Sequence, residues 1–139
     1  MTTIVNEIFI NRKPEDVFDY CVDMTHELEW NPKAKSIEKI STGPLSVGTQ
    51  FKAKWQGGPE VIVECTKYDR PKEWVNHNGG ALTITSSYTL TPKDGGTLLV
   101  SKFEAEPNGL MKVLFPLMKS SFAKQFPQNL VFIKKKLES

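Results

Sequence analysis

The sequence predicts an α+β fold: a seven-stranded, curled antiparallel sheet around one long C-terminal helix, with two short helices after the first strand. Three observations lead there. From Leu110 to Leu137 apolar residues recur every three or four positions, the spacing of one helical face. Between Lys35 and Glu106 the pattern changes to alternation of apolar and polar residues, the period of strands whose two faces meet different surroundings. Gly, Pro, Asn and Asp separate one alternating run from the next, so the strands follow one another as a meander.

Taken in order, residues 3–10 are rich in β-branched and aromatic types and form the first strand. Pro14-Glu15-Asp16 then opens a short helix, with Pro in the first turn and two acids at the positive end of the helix dipole. Val17, Phe18, Cys21 and Val22 give it a dry face. Asp23 or Thr25 caps a second short helix through Leu28 and Trp30, and Pro32 stops it.

Ser36 to Ser41 is the second strand and Thr42-Gly43-Pro44 a loop. In the third, Val47, Thr49, Phe51, Ala53 and Trp55 share the dry face, while Gln50, Lys52, Lys54 and Gln56 share the wet one. Gly57-Gly58-Pro59 turns the chain into Glu60–Tyr68, with Val61, Val63 and Cys65 on one face. Asp69-Arg70-Pro71-Lys72 turns it again into Glu73–Asn78. Leu82–Thr91 is the sixth strand, with Leu82, Ile84, Ser86, Tyr88 and Leu90 on one face. Asp94-Gly95-Gly96 supplies a tight hairpin into Thr97–Glu106.

The helical stripe reads Leu110, Leu114, Met118, Phe122, Phe126, Leu130, Ile133 and Leu137, and an unbroken helix over that span would be roughly 42 Å long. Pro116 and Pro127 each lack an N–H and crowd the carbonyl four residues back, so a bend or break is expected at one or both. Asn108-Gly109 is the expected start, with Asn108 capping free N–H groups. A sheet with one dry face needs cover, and this helix is the only element long enough to give it. No repeat or linker interrupts the pattern, so residues 1–139 are expected to form one domain.

Composition narrows the function. A hydrophobic content of 39% and a charged content of 24% are those of a folded globular chain, and a net charge of +2 makes no electrostatic case for nucleic acid. Six lysines against one glutamate follow Pro107, which leaves the first 106 residues net negative. The Lys134-Lys135-Lys136 run complements a helix C-terminus. Met1-Thr2-Thr3 leads straight into a strand with no secretory signal, no apolar run reaches the ~20 residues of a membrane span, and the cytoplasm is the expected location. Cys21 and Cys65 sit in apolar patterns and read as buried small hydrophobes. No phosphate-binding glycine loop, nucleophile elbow or paired metal histidines occur, so no metal or cofactor is expected.

The order and spacing of several loop signatures resemble the START-like (SRPBCC) superfamily, in particular small bacterial polyketide cyclase/dehydrase-like or lipid-transport-like domains. These are Pro14-Glu15-Asp16-Val17-Phe18, Trp30-Asn31-Pro32, Gly43-Pro44 to Val47-Gly48-Thr49, Asp69-Arg70-Pro71 and Gly95-Gly96-Thr97. The resemblance covers nearly the whole chain and implies a helix-grip fold with a ligand-holding cavity. It does not imply one reaction, because members include binders, carriers and enzymes.

The expected partner is therefore a small hydrophobic molecule, lipid-, polyketide- or aromatic-like, held between sheet and C-terminal helix. Its walls are predicted as Phe51, Trp55, Val63, Trp74, Asn76, Ser86, Tyr88 and Phe103 from the sheet and Met111, Leu114, Phe115, Met118 and Phe122 from the helix. Trp30 is expected near the mouth. Tyr88, Asn76, Ser86 and Ser101 are the candidates for placing a polar group inside. His77 alternates outward with Glu60, Glu64 and Glu104, and His26, beside Glu27 and Glu29, reads as a surface residue. No catalytic residue is assigned. The rival readings are a cofactor-independent cyclase or dehydratase, which needs an interior acid or base, and a regulatory interaction protein with a filled core. Stable membrane insertion is not expected, and the oligomeric state and ligand identity stay open.

Overall fold

A computed structural model describes residues 1–139. Strand β1 (Thr2–Ile10) leads to α1 (Pro14–Cys21), a 3-10 turn (Met24–His26) and α2 (Glu27–Trp30). Six strands follow: β2 (Ala34–Lys39), β3 (Gln50–Trp55), β4 (Val61–Asp69), β5 (Glu73–Asn78), β6 (Leu82–Lys93) and β7 (Gly96–Pro107). Helix α3 (Met111–Glu138) closes the chain. The seven strands form one antiparallel sheet in the order β1-β7-β6-β5-β4-β3-β2, the meander expected from the sequence with β1 added beside β7. The two short helices carry the chain from one sheet edge to the other.

Local chemistry accounts for the joints. Pro14 begins α1 with Glu15 and Asp16 in its first turn, and the Asp23 carboxylate accepts from the Thr25 amide at 3.1 Å to start the 3-10 turn. Asp94 and Gly95 take positive φ, the geometry a two-residue hairpin demands, and join β6 to β7. Strict alternation along β4 would turn Lys67 and Asp69 inward behind Cys65. A bulge between Cys65 and Lys67 resets the pleat, so that Tyr68 turns in and meets Phe18 edge-on at 5.1 Å.

Two segments depart from the expected boundaries. The second strand lies two residues earlier than Ser36–Ser41, because Ile37 is its buried residue and Lys39 turns back to the Ser41 and Gly43 carbonyls. Val47, expected on the dry face of β3, is 60% exposed in the loop that Thr49 ties to Ser46.

Helix α3 runs through both Pro116 and Pro127 without a break. Asn108 does not cap it; its amide donates instead to the Gly80 carbonyl and the Thr83 hydroxyl, fastening the helix start to the β5–β6 turn. The predicted stripe holds for Leu130, Ile133 and Leu137, which join Ile10, Val17, Phe18, Cys21, Val22, Trp74, Leu90 and Leu99 in the main core. It fails at its start: Leu110 and Leu114 are exposed, while Phe115 is buried and Met111 half-buried. A four-residue step overshoots one turn by about 40°, so five such steps from Leu130 back to Leu110 carry the row round to the opposite face. Val113 and Leu117, 68% and 78% exposed, lie on that uncovered side.

The C-terminal half of α3 is pinned. Lys134 donates to the Phe9 carbonyl and to Glu138, Glu138 accepts the Asn11 amide at 2.8 Å, and Arg12 donates to the Leu137 carbonyl. Those bonds hold the Glu138 carboxyl below its usual range, first through the Asn11 N–H and then through Lys134. No helix is long and apolar enough to cross a membrane.

This asymmetry has a direct test. Ile133→Ala should lower the unfolding free energy by about 2–5 kcal/mol, the range for emptying a core aliphatic site, whereas Leu117→Ala should change it by less than about 0.5 kcal/mol. Urea unfolding of both variants checks it, and equal losses would mean that both halves of α3 are docked alike.

Candidate functional site

The concave face of the sheet is read most easily through its register. One row runs Asn6–Ser101–Tyr88–Trp74 across β1, β7, β6 and β5, and the next runs Ile4–Phe103–Ser86–Asn76. Five polar side chains, Asn6, Ser101, Tyr88, Ser86 and Asn76, are thus contiguous on an otherwise apolar floor. The Asn6 amide nitrogen is buried and has no acceptor within the protein. An unmatched buried donor costs about 1–3 kcal/mol.

The floor is unevenly covered. Trp74 is fully buried, edge-on to Phe18 at 5.2 Å on one side and stacked on Tyr88 at 4.6 Å on the other. Phe51 and Val63 are likewise buried, in a second core cluster with Met24, Ile37 and Ala53. These three were expected to wall a cavity; they support the floor from within the core instead. Beneath the middle of α3, Phe103 meets Phe122 and Phe126 at 5.7 and 4.8 Å, and Phe122 meets Phe115 at 6.0 Å, so a cluster of rings spans helix and β7. Met111 and Met118 border that cluster half-buried, and Leu114, predicted as a wall, points outward at 41% exposure.

Over β6 the situation differs. Every residue from Leu82 to Tyr88 keeps part of its surface accessible, including the inward Ile84, Ser86 and Tyr88, although the neighbouring inward residues of β5 are buried. Two clefts open nearby. One, of about 190 Å³, lies between α2 and α3 and is lined by Leu28, Glu29, Trp30, Asn31, Pro32 and Phe132. The other, of about 410 Å³, lies outside β2 and β3 among Lys35, Glu38 and Lys52. Trp30 stands where the first cleft meets the core, and its buried indole N–H has no acceptor.

Helix α2, packed against β2 and α3, carries a residue that alternation and spacing did not reveal. Glu27 accepts the Trp55 indole N–H at 2.6 Å and the Asn31 amide at 2.8 Å, both on Oε2. It forms no ion pair. Burial pushes its pKa up, and the two hydrogen bonds only partly oppose that. Tyr88 is also pushed well above the ordinary phenol value, by burial first and then by the Glu27 charge, against a weaker pull from Ser86. Cys21, behind them in α1, is raised to about 12 by burial alone and is inert as a nucleophile.

The remaining titratable candidates lie elsewhere. His77 faces outward and bonds the Thr85 hydroxyl at 3.0 Å, as its alternation predicted. His26 is not a free surface residue: its Nδ1 donates to the Tyr20 carbonyl at 2.6 Å and its ring stacks on Tyr20. No group of three or more His, Cys, Asp or Glu side chains converges on one point.

Comparison with known proteins places this geometry. The profile of the family described as polyketide cyclase / dehydrase and lipid transport matches residues 1–138. No curated protein sequence matches the chain. TTHA0849 from Thermus thermophilus is similar over 99% of this chain and 97% of its own, with a TM-score of 0.80 and 15% identity. Ara h 8.0201 is similar over 99% and 97%, with a TM-score of 0.68 and 18% identity. BexL, a di-domain ARO/CYC protein from the BE-7585A biosynthetic pathway, is similar over 99% of this chain and 50% of its own, with a TM-score of 0.77 and 16% identity. At these identities the likeness is one of fold, the helix-grip fold that the sequence resemblance implied.

The buried carboxylate has a measurable signature. A glutamate whose pKa is raised on folding is tolerated best when protonated, so its contribution is fully favourable below the ordinary glutamate range and is lost as pH rises through the folded value. Glu27→Gln keeps an oxygen for Trp55 and Asn31 but cannot ionise. Wild type should therefore lose stability relative to Glu27→Gln as pH rises above about 4, and urea unfolding of both from that pH upward checks the sign. A constant difference would place Glu27 in water.

Proposed function

Starting from the fact that the chain belongs to the polyketide cyclase/dehydrase and lipid transport family, we propose that it binds a small hydrophobic molecule carrying at least one hydrogen-bonding group. The ligand lies on the concave face of β6, between α2 and the phenylalanine cluster under α3. Apolar burial against Ile84, Phe103, Trp30 and Phe122 supplies affinity. The polar patch of Asn6, Ser101, Tyr88, Ser86 and Asn76 supplies orientation, because an apolar wall cannot distinguish where a ligand's oxygen sits.

The observation that carries this reading is the Asn6 amide, a buried donor without a partner at the β1 end of that polar patch. A core that served only stability would fill those inward positions with aliphatic side chains, as Leu90 and Leu99 do one row further along. Access runs through the α2–α3 cleft beside Trp30, whose α3 wall is Phe132. A filled core acting only through its surface would leave the half-buried stretch of β6 without a reason.

The test uses two probes that differ by one oxygen, naphthalene and 2-naphthol. Wild type should bind 2-naphthol more tightly than naphthalene by about five- to tenfold, the worth of one net hydrogen bond. Asn6→Leu and Ser101→Val should remove most of that preference, and Phe103→Ala should weaken both probes together. Displacement of a fluorescent dye measures all four proteins. An unchanged ratio in both floor variants would overturn the polar patch as the reader of the ligand.

A further inference from the structure

The start of α3 exposes apolar side chains that the fold does not use. Leu110, Val113, Leu114 and Leu117 stand at the i, i+3, i+4, i+7 spacing of one helical face, and they are 74%, 68%, 41% and 78% exposed. Left in water, such a row adds nothing to the stability of the folded chain. The charge around it is of one sign. No acidic residue occurs between Pro107 and Leu137. Lys112 and Lys119, seven residues apart, lie together on one flank of the helix, and Lys124 follows Leu117 by two turns along the apolar line itself. None of these three exposed lysines forms an ion pair. Beside the helix start the Gly79-Gly80-Ala81 turn, whose Ala81 carbonyl accepts the Asn108 backbone N–H at 2.9 Å, is exposed and uncharged.

We propose that this face docks peripherally on an anionic lipid surface. The four aliphatic side chains enter the boundary between headgroups and acyl chains, and Lys112, Lys119 and Lys124 reach lipid phosphates. Their long apolar stems let the ammonium groups stay at headgroup level while the leucines sit deeper. The helix lies on the bilayer and does not cross it, since its apolar row is two turns long and its other side belongs to the core.

Size and charge both favour lipid over a second copy of the chain. A stable protein interface takes about 20–30 residues a side, and this row offers four aliphatic side chains. Two copies meeting through it would bring three unpaired lysines from each to the rim of one small apolar contact, with no carboxylate on either helix to answer them. An anionic bilayer meets both conditions: it receives a shallow apolar insertion of any area, and its phosphates pair with the lysines. The contact is consequently sensitive to salt. The C-terminal half of α3 keeps its place in the core while the helix start engages lipid.

Sedimentation with vesicles of phosphatidylcholine containing about 30% phosphatidylglycerol tests this, with phosphatidylcholine alone as the reference. At low salt wild type should bind the anionic vesicles at least about tenfold more tightly than the neutral ones, and about 0.5 M salt should remove most of that preference. Leu117→Asp should weaken binding to anionic vesicles about tenfold, and Lys112→Glu combined with Lys119→Glu should abolish the preference for them. Cys21 and Cys65 are both buried, so Leu117→Cys directs a thiol-reactive nitrobenzoxadiazole dye to that position, and its emission should rise and shift to the blue on anionic vesicles. Phe103→Ala, in the ring cluster of the proposed ligand site, should sediment as wild type does. Binding lost in Phe103→Ala but kept in Leu117→Asp means that a lipid enters as ligand, which overturns the docking face and supports the binding reading. Equal vesicle binding by Leu117→Asp and wild type, or none by wild type, overturns the docking face whatever 2-naphthol shows. A wild-type dimer in sedimentation velocity that Leu117→Asp dissociates assigns the face to a second copy and overturns it too.

Discussion

The structure depends on how one end of α3 is held. Leu130, Ile133 and Leu137 share a single core with α1 and with the inward residues of β1, β5, β6 and β7. Around that apolar seat Arg12, Asn11, Phe9, Lys134 and Glu138 exchange hydrogen bonds between the helix end and the β1–α1 corner. Burial supplies the bulk of the hold, since each large aliphatic side chain removed from water is worth roughly 1.5–3 kcal/mol, and the polar bonds fix the angle. The helix is consequently a lever pinned at its C-terminal half.

That arrangement decides where open space can exist. Where α3 is pinned, Trp74, Leu90 and Leu99 are packed as tightly as any core. Further toward the helix start the cover thins to a cluster of phenylalanines, and Leu110, Val113 and Leu117 turn to solvent. The strand that lies between these regimes, β6, keeps its inward face partly accessible. The polar patch lies on that strand and its neighbours. A buried carboxylate without a cation is costly; burial pushes the Glu27 pKa up, and hydrogen bonds from the Trp55 indole and the Asn31 amide partly oppose that.

Most of the architecture was legible in the sequence because it follows from periodicity, which is a local property. The seven strands, the two short helices, the Asp94-Gly95 hairpin and the seat of Leu130, Ile133 and Leu137 all follow from it. Periodicity misled where a small angular error accumulates or where one residue resets the phase. The run of four-residue steps in α3 sent Leu114 outward and brought Phe115 in, and the bulge after Cys65 exchanged Lys67 for Tyr68 on the inner face. The proline pair in α3 shows the converse. A helix with a long apolar footing keeps its course through residues that would end it in isolation.

By itself the sequence determined which side of each strand is apolar, the order of the elements and the family they compose, because those depend on residue type at fixed spacing. It also placed Tyr88, Ser86 and Asn76 on one face, since alternate residues of a strand share a face whatever the strand packs against. Only the tertiary structure decided that Trp74, Phe51 and Val63 are core while Tyr88 stays accessible, and that Glu27 turns inward between Trp55 and Asn31. Those outcomes rest on contacts across the whole chain: β3 lies 28 residues from Glu27 in sequence yet one hydrogen bond away in space. A glutamate on a one-turn helix beside a histidine and another glutamate carries no periodic mark of burial, and its environment exists only once the sheet has curled beneath it.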